Sequence, residues 1–174
     1  DYYAKFTEEF PKSKYVMVGL YNSIVNYDKA NFLEKSIGFA DKALTEYKDF
    51  EISDEDVKKS EKEGSKLPQP IDIREKILFL MAGFQERLAE FEVAANYYEQ
   101  YVGEFKDGPK KADALFNAGV LREGLGEYDA AIKNLAAYCK EFPKKKDVTA
   151  IQWRIGLIHE KKDDYKAMQE HFAS

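Results

Sequence analysis

Residues 112–143 read ADALFNAGVLREGLGEYDAAIKNLAAYCKEFP. Leu115, Ala118, Gly119 and Arg122 fall at i, i+3, i+4 and i+7, one face of a helix that sets a large residue beside two small ones. Small residues at such a face let a second helix approach closely. Residues 124–129 interrupt the period as a turn, and Ala131, Leu135 and Tyr138 resume it. Phe142-Pro143 closes the unit, because proline lacks the N–H of the helix ladder and its ring clashes with the preceding turn. The stretch is a helical hairpin with Gly119 predicted at a helix contact.

The hairpin recurs. A step back of 37 residues takes Gly119 to Ala82, Tyr128 to Phe91, Ala131 to Ala94, Leu135 to Tyr98, Tyr138 to Tyr101 and Phe142 to Phe105. The same step forward reaches Gly156, Tyr165, Met168 and Phe172. Leu115-x2-Ala118-Gly119, Ala131-x3-Leu135 and Pro143 resemble the tetratricopeptide repeat, from whose aromatic position Arg122 departs. The family period is about 34, so the extra residues are expected between repeats, as at residues 144–147. The resemblance implies an all-α fold, a right-handed superhelix of helical hairpins (α-solenoid), working as a non-catalytic protein-interaction scaffold.

Outward from this stretch the organisation is a single array. Residues 1–12 read as the end of a truncated repeat, since Tyr3, Phe6, Phe10 and Pro11 have the spacing of Leu135, Tyr138, Phe142 and Pro143. Residues 13–49 form a repeat, with Ser13 a candidate cap and helices over 14–27 and 33–47. There Tyr15, Val18, Gly19 and Asn22 are set against Leu115, Ala118, Gly119 and Arg122, which makes the connection between the two helices longer than elsewhere. Residues 50–70, including EISDEDVKKSEKEGSKLPQP, are a charged insertion. Ser53 and Asp56 can cap a short helix in it, but it offers few apolar side chains to offset the entropy of ordering, so mobility is expected. Repeats resume over 71–108, 109–145 and 146–174. The absence of an initiator methionine at Asp1 and the exposed Phe172 near the other end read as signs of a processed or excised piece.

The chain has 174 residues, 44% hydrophobic and 34% charged, with net charge −5 and lysine interleaved with glutamate. No basic face for nucleic acid and no polybasic membrane patch stands out. No apolar run approaches the ~20 residues that span a bilayer. Cys139 has no second cysteine to pair with and reads as a structural thiol. His159 and His171 lie in different predicted helices without acidic or cysteine neighbours at metal-ligand spacing, so no metal or cofactor is expected. There is no nucleophile, P-loop or dinucleotide motif, and no enzyme is expected.

The candidate site is a row beside the core stripe. Phe79, Phe116 and Trp153 are 37 apart, followed one turn on by Gly83, Val120 and Leu157; Val16 and Leu20 extend the row into the first repeat. The family resemblance implies that these positions point into the concave groove, where they would receive a protein or peptide segment with Lys76, Arg87, Glu123 and Glu160 as polar rim. The alternative is that the row widens the core. Family members that grip a chaperone's C-terminal carboxylate place lysine and asparagine here, and the apolar residues of this chain do not match that subclass. Other readings are an architectural segment that self-associates through its ends, or the non-catalytic part of a larger enzyme. Glu9-Phe10-Pro11-Lys12-Ser13-Lys14-Tyr15 and Glu141-Phe142-Pro143-Lys144 resemble repeats of bacterial cell-envelope proteins. This favours a periplasmic or outer-membrane-associated setting, with the cytoplasm as the alternative.

Overall fold

The computed structural model describes residues 2–64 and 66–173; expectations at Asp1, Ser65 and Ser174 lie outside the described residues. All regular structure among them is helical, in the order α1 (Tyr2–Glu9), α2 (Val16–Lys29), α3 (Leu33–Thr45), α4 (Asp54–Lys62), α5 (Pro70–Arg87), α6 (Phe91–Glu104), α7 (Lys111–Gly124), α8 (Tyr128–Glu141), α9 (Val148–Lys161) and α10 (Tyr165–Ala173). The fold is all-α, of the α-solenoid class. Its contacts divide the chain into two compact units, residues 1–84 and 85–174.

Two kinds of connection recur. Between the first and second helix of each pair lie three residues, and the middle one adopts a left-handed backbone: Asn31, Ala89, Gly126 and Asp163, with φ from 57 to 76°. The next residue donates its N–H back to the helix end, as Glu127 does to the Arg122 carbonyl at 2.9 Å and Asp164 to that of His159 at 3.0 Å. These bonds satisfy carbonyls that the end of a helix leaves without partners. Between pairs, except from α3 to α5, lies a six-residue linker with its own repeated bonds: Phe10 to Phe6, Phe105 to Tyr101 and Phe142 to Tyr138 at 2.9 Å, then Ser13, Gly108 and Lys145 back to those phenylalanines at 3.0 Å. Tyr138 strengthens its linker further by donating its hydroxyl to Asp147 at 2.7 Å.

Packing in the second unit follows the size pattern of the sequence. A Cβ on Gly119 would lie 2.6 Å from Leu135 Cγ, and one on Gly156 would overlap the Phe172 ring. The glycines are therefore the places where a large residue of the second helix seats on the first. Ile151, Ile155 and Ile158 of α9 then close over Leu115, Leu135 and Tyr138 of the preceding hairpin.

The first unit corrects the register read from the sequence. A Cβ on Gly19 would meet Thr7 at 2.8 Å and Phe6 at 3.0 Å, so this glycine faces α1 and not α3. Matching turn to turn, Asn31 to Gly126, sets Ile24 against Gly119, Ala40 against Leu135, Ser23 against Ala118 and Ser36 against Ala131. Ile24, Ala40, Ser23 and Ser36 are all fully buried. The connection between α2 and α3 has the same three residues as the others, not more. Val16 and Leu20, placed in the exposed row from the sequence, are 0% exposed and belong to the core.

In this register Ile24 and Ala82 are 58 residues apart, one 37-residue period plus 21, which is the length of residues 50–70. Ser53 caps α4, accepting the Asp56 N–H at 3.2 Å. The segment is better anchored than its composition implied. Ser60 and Leu67 are buried, Lys14 pairs with Asp56 at 3.4 Å, and Arg74, just beyond the segment, donates to the Leu44 carbonyl at 3.2 Å.

Candidate functional site

In the second unit, Phe116 and Val120 stand one turn apart on α7, and Trp153 and Leu157 hold the same positions on α9. Phe116 and Val120 are half-buried, whereas Trp153 is 60% exposed and Leu157 39%. The difference lies in what surrounds each pair. The Phe116 ring lies 6.3 Å from that of Tyr138 and packs against the core that α9 completes. Trp153 lies against its own hairpin, with the Phe172 ring at 5.0 Å between centres and His171 5.5 Å from that ring. A concavity of about 720 Å³ opens beside it, lined by Lys146, Thr149, Ala150, Gln152, Trp153, His171 and Phe172.

Charged groups around the row serve the repeat itself. Glu123 accepts from Arg154 Nε and Lys161 Nζ, both at 2.5 Å, and so stitches α7 to α9. Burial pushes its carboxyl pKa upward, but the bonds from Lys161 and Arg154 outweigh this and hold it below the usual carboxylate range. Glu123, expected as rim for a partner, is thus already engaged. In the first unit Phe79 and Gly83 are half-buried on α5, and the register that removes Val16 and Leu20 brings in Tyr21 and Val25, also half-buried. The Lys76 ammonium, another expected rim group, sits 5.9 Å from the Tyr21 ring centre.

The departure at Arg122 has a structural answer that the sequence did not reveal. Its side chain is buried and its nitrogens donate to Glu99 Oε2 at 2.5 Å, Asn96 at 2.6 Å and Glu127 at 2.6 Å, while Asn134 donates to Glu99 Oε1 at 2.8 Å. Burial raises the Glu99 pKa, and the bonds from Arg122 and Asn134 bring it below the usual range. The result is a charged hub joining α6, α7 and α8 where an aromatic ring would give only packing. Its signal was present: Glu99, Arg122 and Asn134 are polar residues on or beside inward stripes, which is costly unless they pair.

Cys139 is half-buried, with its thiol 3.8 Å from the Val148 carbonyl, and burial followed by the nearby Asp147 pushes its pKa up. That is the environment of a structural thiol. The Tyr138 hydroxyl is likewise pushed up to about 12 by burial and by its bond to Asp147. The fold brings together two residues that the sequence kept apart: the His159 and His171 rings are 6.1 Å between centres, with His171 Nε2 2.8 Å from the Gln152 carbonyl. Among the described residues no group of three or more His, Cys, Asp or Glu is placed to hold a metal ion.

The tetratricopeptide-repeat profile matches residues 113–145, the α7–α8 hairpin with its linker. The α7–α8 hairpin is a tetratricopeptide repeat. Its solved structural relatives include residues 41 to the end of MamA from Desulfovibrio magneticus RS-1, at 14% identity and TM-score 0.58, covering 99% of this chain and 78% of that one. A tetratricopeptide-repeat protein from Parabacteroides merdae ATCC 43184 gives 13% identity and TM-score 0.61 over 90% of this chain and 51% of that one. The apo form of RapI gives 17% and 0.59, over 98% and 57%. At these identities the likeness is one of fold, and this chain spans little more than half of the latter two. No curated protein sequence matches it. With a tetratricopeptide repeat at 113–145 and an α-solenoid fold, the chain has the architecture of a protein-interaction scaffold. No helix among the described residues is long and apolar enough to cross a membrane.

Proposed function

We propose that this tetratricopeptide-repeat chain binds a segment of a partner protein along the first-helix face of its second unit, with Phe116, Val120, Trp153 and Leu157 as the apolar contacts. The observation that carries the reading is the exposure of Trp153 and Leu157 at register positions one repeat from Phe116 and Val120. A large aromatic held in water costs free energy that a partner recovers, and tryptophan is enriched among interface hot spots. Because Glu123 is engaged by both Arg154 and Lys161, the face is apolar with a paired polar border. It therefore favours apolar anchors over a charged terminus. Net charge −5 favours protein over nucleic acid as the partner. The Phe-Pro-x-Ser-x-Tyr linker supports a bacterial envelope setting, which a periplasm-sensitive reporter fused to the complete gene product would test.

The binding test uses a displayed library of random 12-residue peptides selected on the chain. Selected peptides should carry two or more apolar anchors, shift Trp153 emission to the blue, and lose about 2 kcal/mol of affinity on Trp153→Ala with helix content unchanged. Peptides that bind equally well to Trp153→Ala and Leu157→Asp would overturn the assignment.

A further inference from the structure

The second unit carries its charges unevenly. Residues 104–113 and 140–148, the helix ends and linkers along one edge of that unit, hold seven lysines and five carboxylates, in a chain that has 27 bases against 32 acids. Most of those carboxylates are already engaged. Asp113 pairs with Lys110 at 3.1 Å, Glu141 pairs with Lys111 at 2.5 Å, Glu104 accepts from Gln100 at 2.7 Å, and Asp147 accepts the Tyr138 hydroxyl at 2.7 Å. Lys106, Lys140, Lys144 and Lys146 are exposed and make no ion pair among the described residues. The Glu-Phe-Pro-Lys motif of this edge occurs once more, at residues 9–12, where the nearby Lys14 is taken up by Asp56 at 3.4 Å. At residues 141–144 the positive charge is left over.

The edge is also grooved. A concavity of about 320 Å³ between the two linkers is lined by Lys106, Lys111, Glu141 and Phe142, and another of about 450 Å³ shares Glu141 and Phe142 with it and adds Pro143, Lys144 and Lys145. Phe142 is half-buried at the place common to both. Glu141 shows what the groove accepts, because its carboxylate rests on Lys111, whose side chain is 11% exposed. We infer that this edge binds an acidic segment of a partner protein, with carboxylates on Lys106, Lys144 and Lys146 and an apolar side chain over Phe142. One ion pair in water contributes little, so several along a single segment are required, and their attraction chiefly speeds encounter. A lipid surface is the poorer match. Among the described residues of this edge no large apolar side chain stands exposed for insertion, and a re-entrant groove suits a chain better than a plane. The site is separate from the proposed apolar groove, which lies on the faces of α7 and α9 and not at their linkers.

The probe is a fluorescein-labelled peptide of glutamates flanking one central phenylalanine, titrated with the full chain. Its anisotropy should saturate below about 1 mM protein at low salt, and the affinity should fall at least about fivefold between about 50 and about 300 mM salt. The double variant Lys144→Glu, Lys146→Glu should weaken binding at least about tenfold. The same change of charge at two exposed lysines elsewhere in the unit, Lys133→Glu with Lys166→Glu, should weaken it less than about threefold. Serine in place of the peptide's phenylalanine should cost at least about threefold. Leu157→Asp, which disables the proposed apolar groove, should leave the peptide bound within about twofold, so the two sites can fail separately. Absence of saturation at low salt, or equal binding to wild type and Lys144→Glu, Lys146→Glu, would overturn the inference. So would tighter association with vesicles of about one-third phosphatidylserine than with the peptide, because a lipid surface would then be the occupant.

Discussion

The α2–α3 and α7–α8 hairpins share a first helix of 14 residues, a three-residue turn with a left-handed middle residue, and a second helix of 13 or 14. They fill the space between the helices in opposite ways. In α7–α8 the first helix supplies Gly119 and the second supplies Leu135; in α2–α3 the first supplies Ile24 and the second Ala40. Ser36 then uses the room at the contact to donate to the Ile24 carbonyl at 3.1 Å, where Ala131 has no donor to offer. Between these two hairpins the large and the small residue change sides across the contact, one large and one small residue in each, as close packing favours.

The largest effect is expected where that pairing of large with small is broken. Gly119→Leu should cost about 3 kcal/mol or more, because even its Cβ would overlap Leu135. Leu135→Ala should cost about 2–5 kcal/mol by leaving a cavity. Importing the α2–α3 solution as the double variant Gly119→Ile, Leu135→Ala should recover about 2 kcal/mol of that sum. Strict additivity in urea unfolding would show that the two hairpins are not volume-equivalent.

Next comes the hub at Arg122, which α2–α3 lacks. Arg122→Leu should cost about 2 kcal/mol, less than for a fully buried pair, since the Glu99 side chain keeps 32% exposure. Glu99 has its pKa lowered in the folded state. Its contribution is therefore present above the ordinary glutamate pKa of about 4.3 and is lost as pH falls below that value through the folded one. The acid-side decline in stability should be shallower in Arg122→Leu than in wild type. An unchanged decline would assign the acid sensitivity to other carboxylates, such as Glu123.

A smaller effect tests the other hairpin. Ser36→Ala should cost about 1 kcal/mol by removing its buried bond to Ile24 while leaving the carbonyl in its own helix. The reciprocal Ala131→Ser should gain nothing if Gly119 and Leu135 leave no room for the donor. Smallest is Ala89→Gly, which should stabilise by about 0.5–1 kcal/mol because Ala89 holds φ 60° where the α7–α8 turn has Gly126. A lower urea midpoint in Ala89→Gly would mean that unfolded-chain entropy outweighs the relieved strain.

The repeated hairpin, its turn and the contact at Gly119 were legible because each rests on local periodicity. A face at 3.6 residues per turn, a proline and a recurring spacing are properties of the chain itself. The first hairpin was misread because Gly19 drew the alignment toward a small-residue contact. Gly19 does make such a contact, but with Thr7 and Phe6 on its other side. A glycine records that something approaches closely and not from which direction. The candidate row places Phe116 and Trp153 by their 37-residue spacing, and was misassigned at Val16 and Leu20, which are buried, by that same five-residue slip.

The sequence by itself determined the all-α class, the helical-hairpin unit and its 37-residue period, since these follow from the order of apolar, small and helix-ending residues along one strand of chain. Only the tertiary structure decided the rest: that bulk is exchanged between partners at Ile24 and Ala40, that Arg122 is satisfied by Glu99 and Asn134, that Glu123 is occupied by α9, and that Trp153 is open while Phe116 is half covered. Each depends on a pair of side chains from different helices. The free energy of such a pair is fixed by distance and by exclusion of water, neither of which is a property of one position in the chain.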